Sequence, residues 1–238
     1  MQIKTKAIVL SALKYQEKSL IVKCFTEEVG VVSFFVRNAF AKGKSAQKMA
    51  YFQPLTILDL DFTYKNKGGL EYFKEVKVAQ VYQDIYYNYN KNCIAIFVGE
   101  VLHSAFREPV VDKDFFAFLE AALLWFDTHD EVANFHLILM LELTKYFGFY
   151  PAVDTQNSLY FDWEEGVFTN RFSPCCFDEE PTFLFKKLLD LGFSTDQKVF
   201  NNRDRKRLLT MLISYYEKHL NDFRKPNSLE VLKEVFSN

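Results

Sequence analysis

The spacing of apolar residues in this chain changes near Tyr82 from every second position to every third or fourth, and few architectures accommodate such a change. Upstream, the pattern is that of half-buried strands. "SLIVKCFT" (19–26) sets Leu20, Val22 and Cys24 on one side, and "VVSFFV" (31–36) is β-branched and aromatic. "LDLDFTY" (58–64) sets Leu58, Leu60, Phe62 and Tyr64 against Asp59, Asp61 and Thr63. "LEYFKEVKV" (70–78) sets Leu70, Tyr72, Val76 and Val78 against Glu71, Phe73, Glu75 and Lys77. With "IKTKAIVLSAL" (3–13) these make five predicted strands. One short helix, 45–52, falls between the third and fourth, and Pro54 opens the fourth, where a missing donor is tolerated.

Five strands with one helix after the third suggest a small Greek-key barrel of the OB type, which binds ligands on strands two and three and on the loops joining strands 1–2 and 4–5. The charge distribution draws attention to those loops. Residues 1–81 carry 13 Lys and Arg against 7 Asp and Glu, while the remaining 157 carry 16 against 24, although the whole chain has a net charge of only -2. Such asymmetry implies different partners for the two halves. The first loop offers Lys14 and Lys18, and the 4–5 loop, "YKNKGG", offers Lys65 and Lys67. "RNAFAKGKSAQK" (37–48) adds Arg37, Lys42, Lys44 and Lys48 with no carboxylate. These eight residues form the candidate phosphate-binding set. Phe35, Phe40 and Tyr51 are candidates for stacking on bases, the alternative being a place in the barrel core.

After Tyr82, Ile94, Phe97, Val101, Leu102 and Ala105 form one helical stripe, and helices also fit 114–127, 131–147, 181–191, 203–221 and 228–236. "NFHLILMLEL" is apolar nearly all round and reads as a central buried helix, with His136 as a core residue. "SLYFDWEEGVFT" (158–169) reads as a small hairpin turning at Glu165-Gly166. The expected class is therefore α+β: an all-β domain, 1–82, followed by a helical domain, 83–238, with a hairpin insertion. "NRDRKRLL" (202–209) gathers Arg203, Arg205, Lys206 and Arg207 at a helix start. It reads either as a solvated helix end or as a site for an acidic peptide or a phosphate backbone.

Catalytic motifs are not found. "GKS" (43–45) resembles the end of a P-loop, but the required earlier glycine is Asn38. His103, His129, His136 and His219 are scattered, and no nucleophile–base pair can be assembled, so no enzyme is expected. Cys24 and Cys93 lie in apolar runs. Cys175 and Cys176 are adjacent, with no second pair within 80 residues, so neither a disulfide framework nor a structural zinc is expected. No cofactor is implied. The longest uncharged stretch of the helical half, 132–141, is about half of a membrane span, and the expected compartment is the cytoplasm.

The opening strand, "EKSLIV", "VGVVSFFVRNA", the basic loop and "QPLTILDL" together resemble the start of the RecO family of bacterial recombination mediators. Over 83–238 the likeness rests on helical layout and "YFGFYP". The resemblance implies an OB-fold domain and a helical domain. It also implies binding of single- and double-stranded DNA, strand annealing, and loading of RecA onto DNA coated by single-strand-binding protein, in association with the nucleoid. RecR and the acidic C-terminal tail of single-strand-binding protein are the implied protein contacts. Many relatives carry a four-cysteine zinc element where this chain, in the zinc-finger-like region 155–180, keeps only Cys175 and Cys176, so no metal is carried over. Two other readings use the same residues: an RNA-binding OB-fold protein, and a protein-interaction adaptor acting through the acidic helical half.

Overall fold

The computed structural model describes residues 1–40, 49–65, 67–106, 111–153, 157–193 and 199–235. By contacts the chain divides into two compact units, residues 1–128 with 226–228, and 129–225 with 229–238. The family of predicted strands is present. β1 (Gln2–Tyr15), β2 (Ser19–Thr26), β3 (Gly30–Val36), β4 (Ile57–Thr63) and β5 (Phe73–Gln80) form an antiparallel sheet in the order β3-β2-β1-β4-β5. A parallel bridge between Phe34 and Glu71 joins the two edges, through Phe35 N–H to Glu71 O (2.8 Å) and Glu71 N–H to Ser33 O (2.9 Å). Closure satisfies edge groups that would otherwise pair with another chain. The result is an OB-type barrel, as the strand pattern predicted. Its interior is filled by the alternating residues of the strands: Ala7, Val9, Val22, Cys24, Phe34, Leu58 and Phe62 are all fully buried. Burial pushes the Cys24 thiol well up, so it remains a neutral packing group.

Two local departures from the sequence pattern have clear causes. Pro54 does not open the fourth strand. It lies in the preceding turn, where Leu55 adopts a left-handed φ of 68° and is fully buried, with its N–H donated to Val9 O at 2.7 Å. That backbone conformation is costly for leucine and is held by the burial around it. In the fifth strand the register shifts between Asp61/Phe62, so that Asp61 pairs with Glu75 but Phe62 with Phe73. A shift of one residue exchanges the faces of a strand. Glu71 and Phe73 therefore point inward and Leu70 and Tyr72 outward, the reverse of the alternation predicted for 70–73. Of the short helix predicted at 45–52, residues 49–51 are helical; 45–48 lie outside the described residues.

The first unit also holds α1 (Tyr89–Ala105) and α2 (Lys113–Thr128). Phe25 of β2 is fully buried with ring centroids 4.6, 5.4 and 5.7 Å from Phe106, Phe115 and Phe116. At Gly99, an added Cβ would meet Pro54 Cβ at 3.0 Å, so this glycine lets α1 approach the turn before β4. The connection from barrel to helix is held by Asp127, whose carboxylate accepts the N–H groups of Gln83, Asp84 and Ile85 at 2.8–3.0 Å. Beside it the buried Lys91 ammonium pairs with Asp84 (2.7 Å) and donates to Asp127 O (2.8 Å), which satisfies a charge that burial would otherwise make costly.

In the second unit α3 (Phe135–Tyr146) is buried almost throughout, as its apolar sequence predicted, and packs against α5 (Asn202–His219), with Tyr216 O–H donating to Met140 O at 2.6 Å. Burial and the nearby Arg205 guanidinium hold His136 neutral, lowering its pKa to about 3. The predicted hairpin is β6 (Tyr160–Asp162) and β7 (Val167–Thr169), to which β8 (Cys176–Phe177) adds an unpredicted third strand in the order β7-β6-β8. α4 (Glu179–Leu189) and α6 (Leu229–Val235) complete the unit.

Candidate nucleic-acid interface

The two turns at one end of the barrel are tied together. Gln16 and Asn38 take left-handed φ of 55° and 52°, and Ala39 N–H donates to Lys18 O at 2.8 Å. This brings the end of β1, the β1–β2 turn and the segment after β3 next to one another. Tyr15, Phe35 and Tyr72 follow as a row: Phe35 meets each neighbour edge-to-face with centroids 5.9 Å apart. Tyr15 and Tyr72 are each 44 % exposed and Phe40 40 %, while Phe35 is half-buried between Tyr15 and Tyr72.

Three of the predicted cations lie over exposed rings. The Arg37 guanidinium lies over the Tyr72 ring at 5.4 Å, Lys65 Nζ over the same ring at 6.0 Å, and Lys14 Nζ over Phe40 at 5.5 Å. Lys18 and Lys67 are exposed in the two loops. None of Lys14, Lys18, Arg37, Lys65 and Lys67 pairs with a carboxylate among the described residues. Lys42, Lys44 and Lys48 lie outside the described residues. The other barrel lysines are engaged differently. Lys6 pairs with Glu120 at 2.7 Å, which raises its pKa, and Lys23 donates to His103 O and Phe106 O at 3.1 and 2.8 Å. Lys77 pairs with Glu75 at 2.7 Å.

Glu71 anchors the 4–5 loop to this surface. It is buried, and its Oε1 accepts the Lys65 N–H at 2.8 Å while its backbone makes the closing bridge to β3. Lys65, Tyr72 and Phe35 are thus all positioned by one residue or its immediate bonds.

Of the predicted stacking residues, Phe35 and Phe40 join this surface, and Tyr51 is half-buried against the barrel core. Tyr15 and Tyr72 are additions. Tyr15 ends β1, within the stretch that the sequence offers as the first loop and only for its lysines. Tyr72 was masked by the register shift in β5. At the start of α5, Arg205 folds back on its own helix end: it donates to Phe200 O at 2.5 Å and to the Asn202 side chain. Arg207 pairs with Glu180 at 2.7 Å. Asn201 and Asp204 form a capping box there, supplying the negative group that this helix end favours. Arg203 is exposed and Lys206 half-buried.

Cys175 and Cys176 lie in the hairpin element. The Cys175 thiol donates to Glu164 at 2.8 Å, which pushes its pKa up and that of Glu164 down; Glu164 is also paired with Lys218. Cys176 meets Ser173 at 3.4 Å. Among the described residues no group of three or more His, Cys, Asp or Glu is placed to hold a metal. A thiol kept protonated by a carboxylate, in a set of only two cysteines, does not fit a structural zinc.

The comparisons with known proteins agree with this architecture. The family model described as Recombination protein O N terminal matches residues 1–82, and Recombination protein O C terminal matches 86–229. The chain is 54 % identical over 238 residues to a DNA repair protein RecO of Flavobacterium psychrophilum and 53 % identical over 237 residues to that of Flavobacterium johnsoniae, covering 100 % of both chains in each case. It is 37 % identical over 238 residues to that of Christiangramia forsetii, covering 99 % of this chain and 100 % of the relative. No helix among the described residues is long and apolar enough to cross a membrane. With both halves matched and the barrel in place, the chain belongs to the recombination protein O family of DNA repair proteins.

Proposed function

We propose that this chain is a non-catalytic recombination mediator that binds single- and double-stranded DNA, promotes annealing of complementary strands and helps load the recombinase RecA onto DNA coated by single-strand-binding protein. RecR and the acidic C-terminal tail of single-strand-binding protein are its protein partners in this reading. The observation that carries it is the row Tyr15–Phe35–Tyr72 on an OB barrel, with Arg37 and Lys65 over Tyr72 and with Lys14 over the exposed Phe40. Cations on mobile side chains neutralise phosphates and release counterions, a contribution that is independent of sequence. Exposed rings accept unstacked bases of any identity, each worth about 1–3 kcal/mol. Annealing needs this combination, a surface that holds two strands without reading either.

Binding of the full chain to a labelled single strand, titrated with salt, tests the proposal. If four to six phosphates are engaged, log K falls against log salt with a slope of about -3 to -4. Replacing Lys14, Arg37, Lys65 and Lys67 by glutamine lowers affinity for all sequences alike and flattens the slope by about 0.7 for each cation removed. A slope near zero in the unaltered protein would overturn the proposal. Competition between RNA and DNA of equal length tests the RNA-binding reading, which predicts that RNA wins.

A further inference from the structure

The three described cations nearest the exposed rings are themselves exposed residues whose charged groups lie over those rings. Arg37 and Lys65 both lie over Tyr72, and Lys14 lies over Phe40, at 5.4–6.0 Å from the ring centroids. Resting on the DNA-binding function proposed above, we propose that these rings and cations are stored against each other in the unliganded protein and change partners together when a strand with unpaired bases arrives. Phosphates draw Arg37, Lys65 and Lys14 off the rings, and bases take the vacated faces of Tyr72 and Phe40.

A ring face holds either a cation or a base, so stacking requires the cation to leave. A cation over an exposed ring is held by about two- to fivefold in an equilibrium constant. A ligand that offers only phosphates takes the cations but leaves the rings bare, and must overcome this hold without compensation. A ligand with unpaired bases recovers it by stacking, worth at least about fivefold per base. The rings therefore act against simple polyanions and in favour of single strands. A duplex, whose bases are already stacked on one another, belongs with the simple polyanions at this site. The ligand that the surface selects is a single strand, and the selection arises from covering the rings in the free state as much as from contacts in the bound one.

This arrangement makes a prediction of opposite sign for two ligands. Tyr72→Leu is expected to weaken binding of a thymidine homopolymer, by the stacking factor of about fivefold or more divided by the roughly two- to fivefold recovered when the cations are released, and to strengthen binding of inorganic polyphosphate by about two- to fivefold, because Arg37 and Lys65 are released. Blunt duplex DNA should follow the polyphosphate. Tyr72→Phe keeps the ring and should match the unaltered protein. Phe40→Leu, which releases Lys14, provides a second and independent site for the same comparison; both rings are exposed enough for leucine to leave the fold intact, checked by the melting curve. For the homopolymer, Arg37→Met combined with Tyr72→Leu should lose about two- to fivefold more than the product of the single losses, since each single variant frees the other partner. If Tyr72→Leu and Phe40→Leu weaken polyphosphate and homopolymer alike, or if the double variant equals the product of the singles, the exchange is overturned while DNA binding stands. If the unaltered protein binds none of the three ligands with salt-dependent affinity, the proposed function itself falls, and this inference with it.

Discussion

Glu71 shows how much one buried side chain can control on this surface. Its carboxylate holds the Lys65 N–H and its backbone closes the barrel beside Phe35 and before Tyr72. Glu71→Ala is expected to cost about 1–3 kcal/mol in urea unfolding, by leaving a donor without an acceptor, and to weaken single-strand binding as Lys65 loses its anchor. Glu71→Gln keeps an acceptor oxygen and should retain most of both. Equal losses in the two variants would mean that charge, not the hydrogen bond, is what matters. His136 gives a second test in the other unit. Its pKa falls from 6.5 to about 3 on folding, so the folded chain stays neutral where the unfolded chain takes up a proton. This contribution to stability is fully present well above pH 6.5 and is lost as pH falls through that value toward the folded pKa, by roughly 1 kcal/mol between pH 7.5 and 5.5. Urea titrations of the unaltered protein and of His136→Gln at both pH values should differ in pH dependence by that amount; identical dependence would show that His136 titrates normally.

At the scale of elements, the hairpin illustrates a fold held by aromatic packing. Phe161 of β6 is fully buried, with ring centroids 4.7, 4.9, 5.6 and 6.3 Å from Phe185, Phe168, Tyr215 and Phe177. Phe161→Ala should cost about 3–5 kcal/mol in urea unfolding, whereas excess chelator should leave the melting temperature unchanged. A chelator-induced drop would mean that a metal, and not these rings, holds the element. Much of this was legible. The strand at 19–26 is found where its alternation placed it, the helices lie within a few residues of their stripes, and the buried α3 follows from a segment apolar on every side. The face of Tyr72 was not legible, because a register shift leaves no mark in a pattern that alternates on both sides of it. Leu55 was hidden for a related reason: only tertiary burial can hold leucine at a positive φ. The short β8 carries too few residues to show a period at all.

At the scale of the whole chain, charge asymmetry is readable from composition, and it directs attention to the first 81 residues. What composition could not show is how many of those cations are consumed internally. Lys6, Lys23 and Lys77 are tied to Glu120, to backbone carbonyls and to Glu75, while Lys14, Arg37 and Lys65 pair with no carboxylate among the described residues and lie over rings. The change of period at Tyr82 marks where strands give way to helices, but the first compact unit continues to Thr128. The contact of Phe25 with Phe106, Phe115 and Phe116 has a practical consequence for anyone who would study the barrel in isolation. A fragment ending at residue 82 would display a bare phenylalanine floor to water and is expected to clump on a sizing column, whereas one ending at 128 carries its own lid and should elute as a single species.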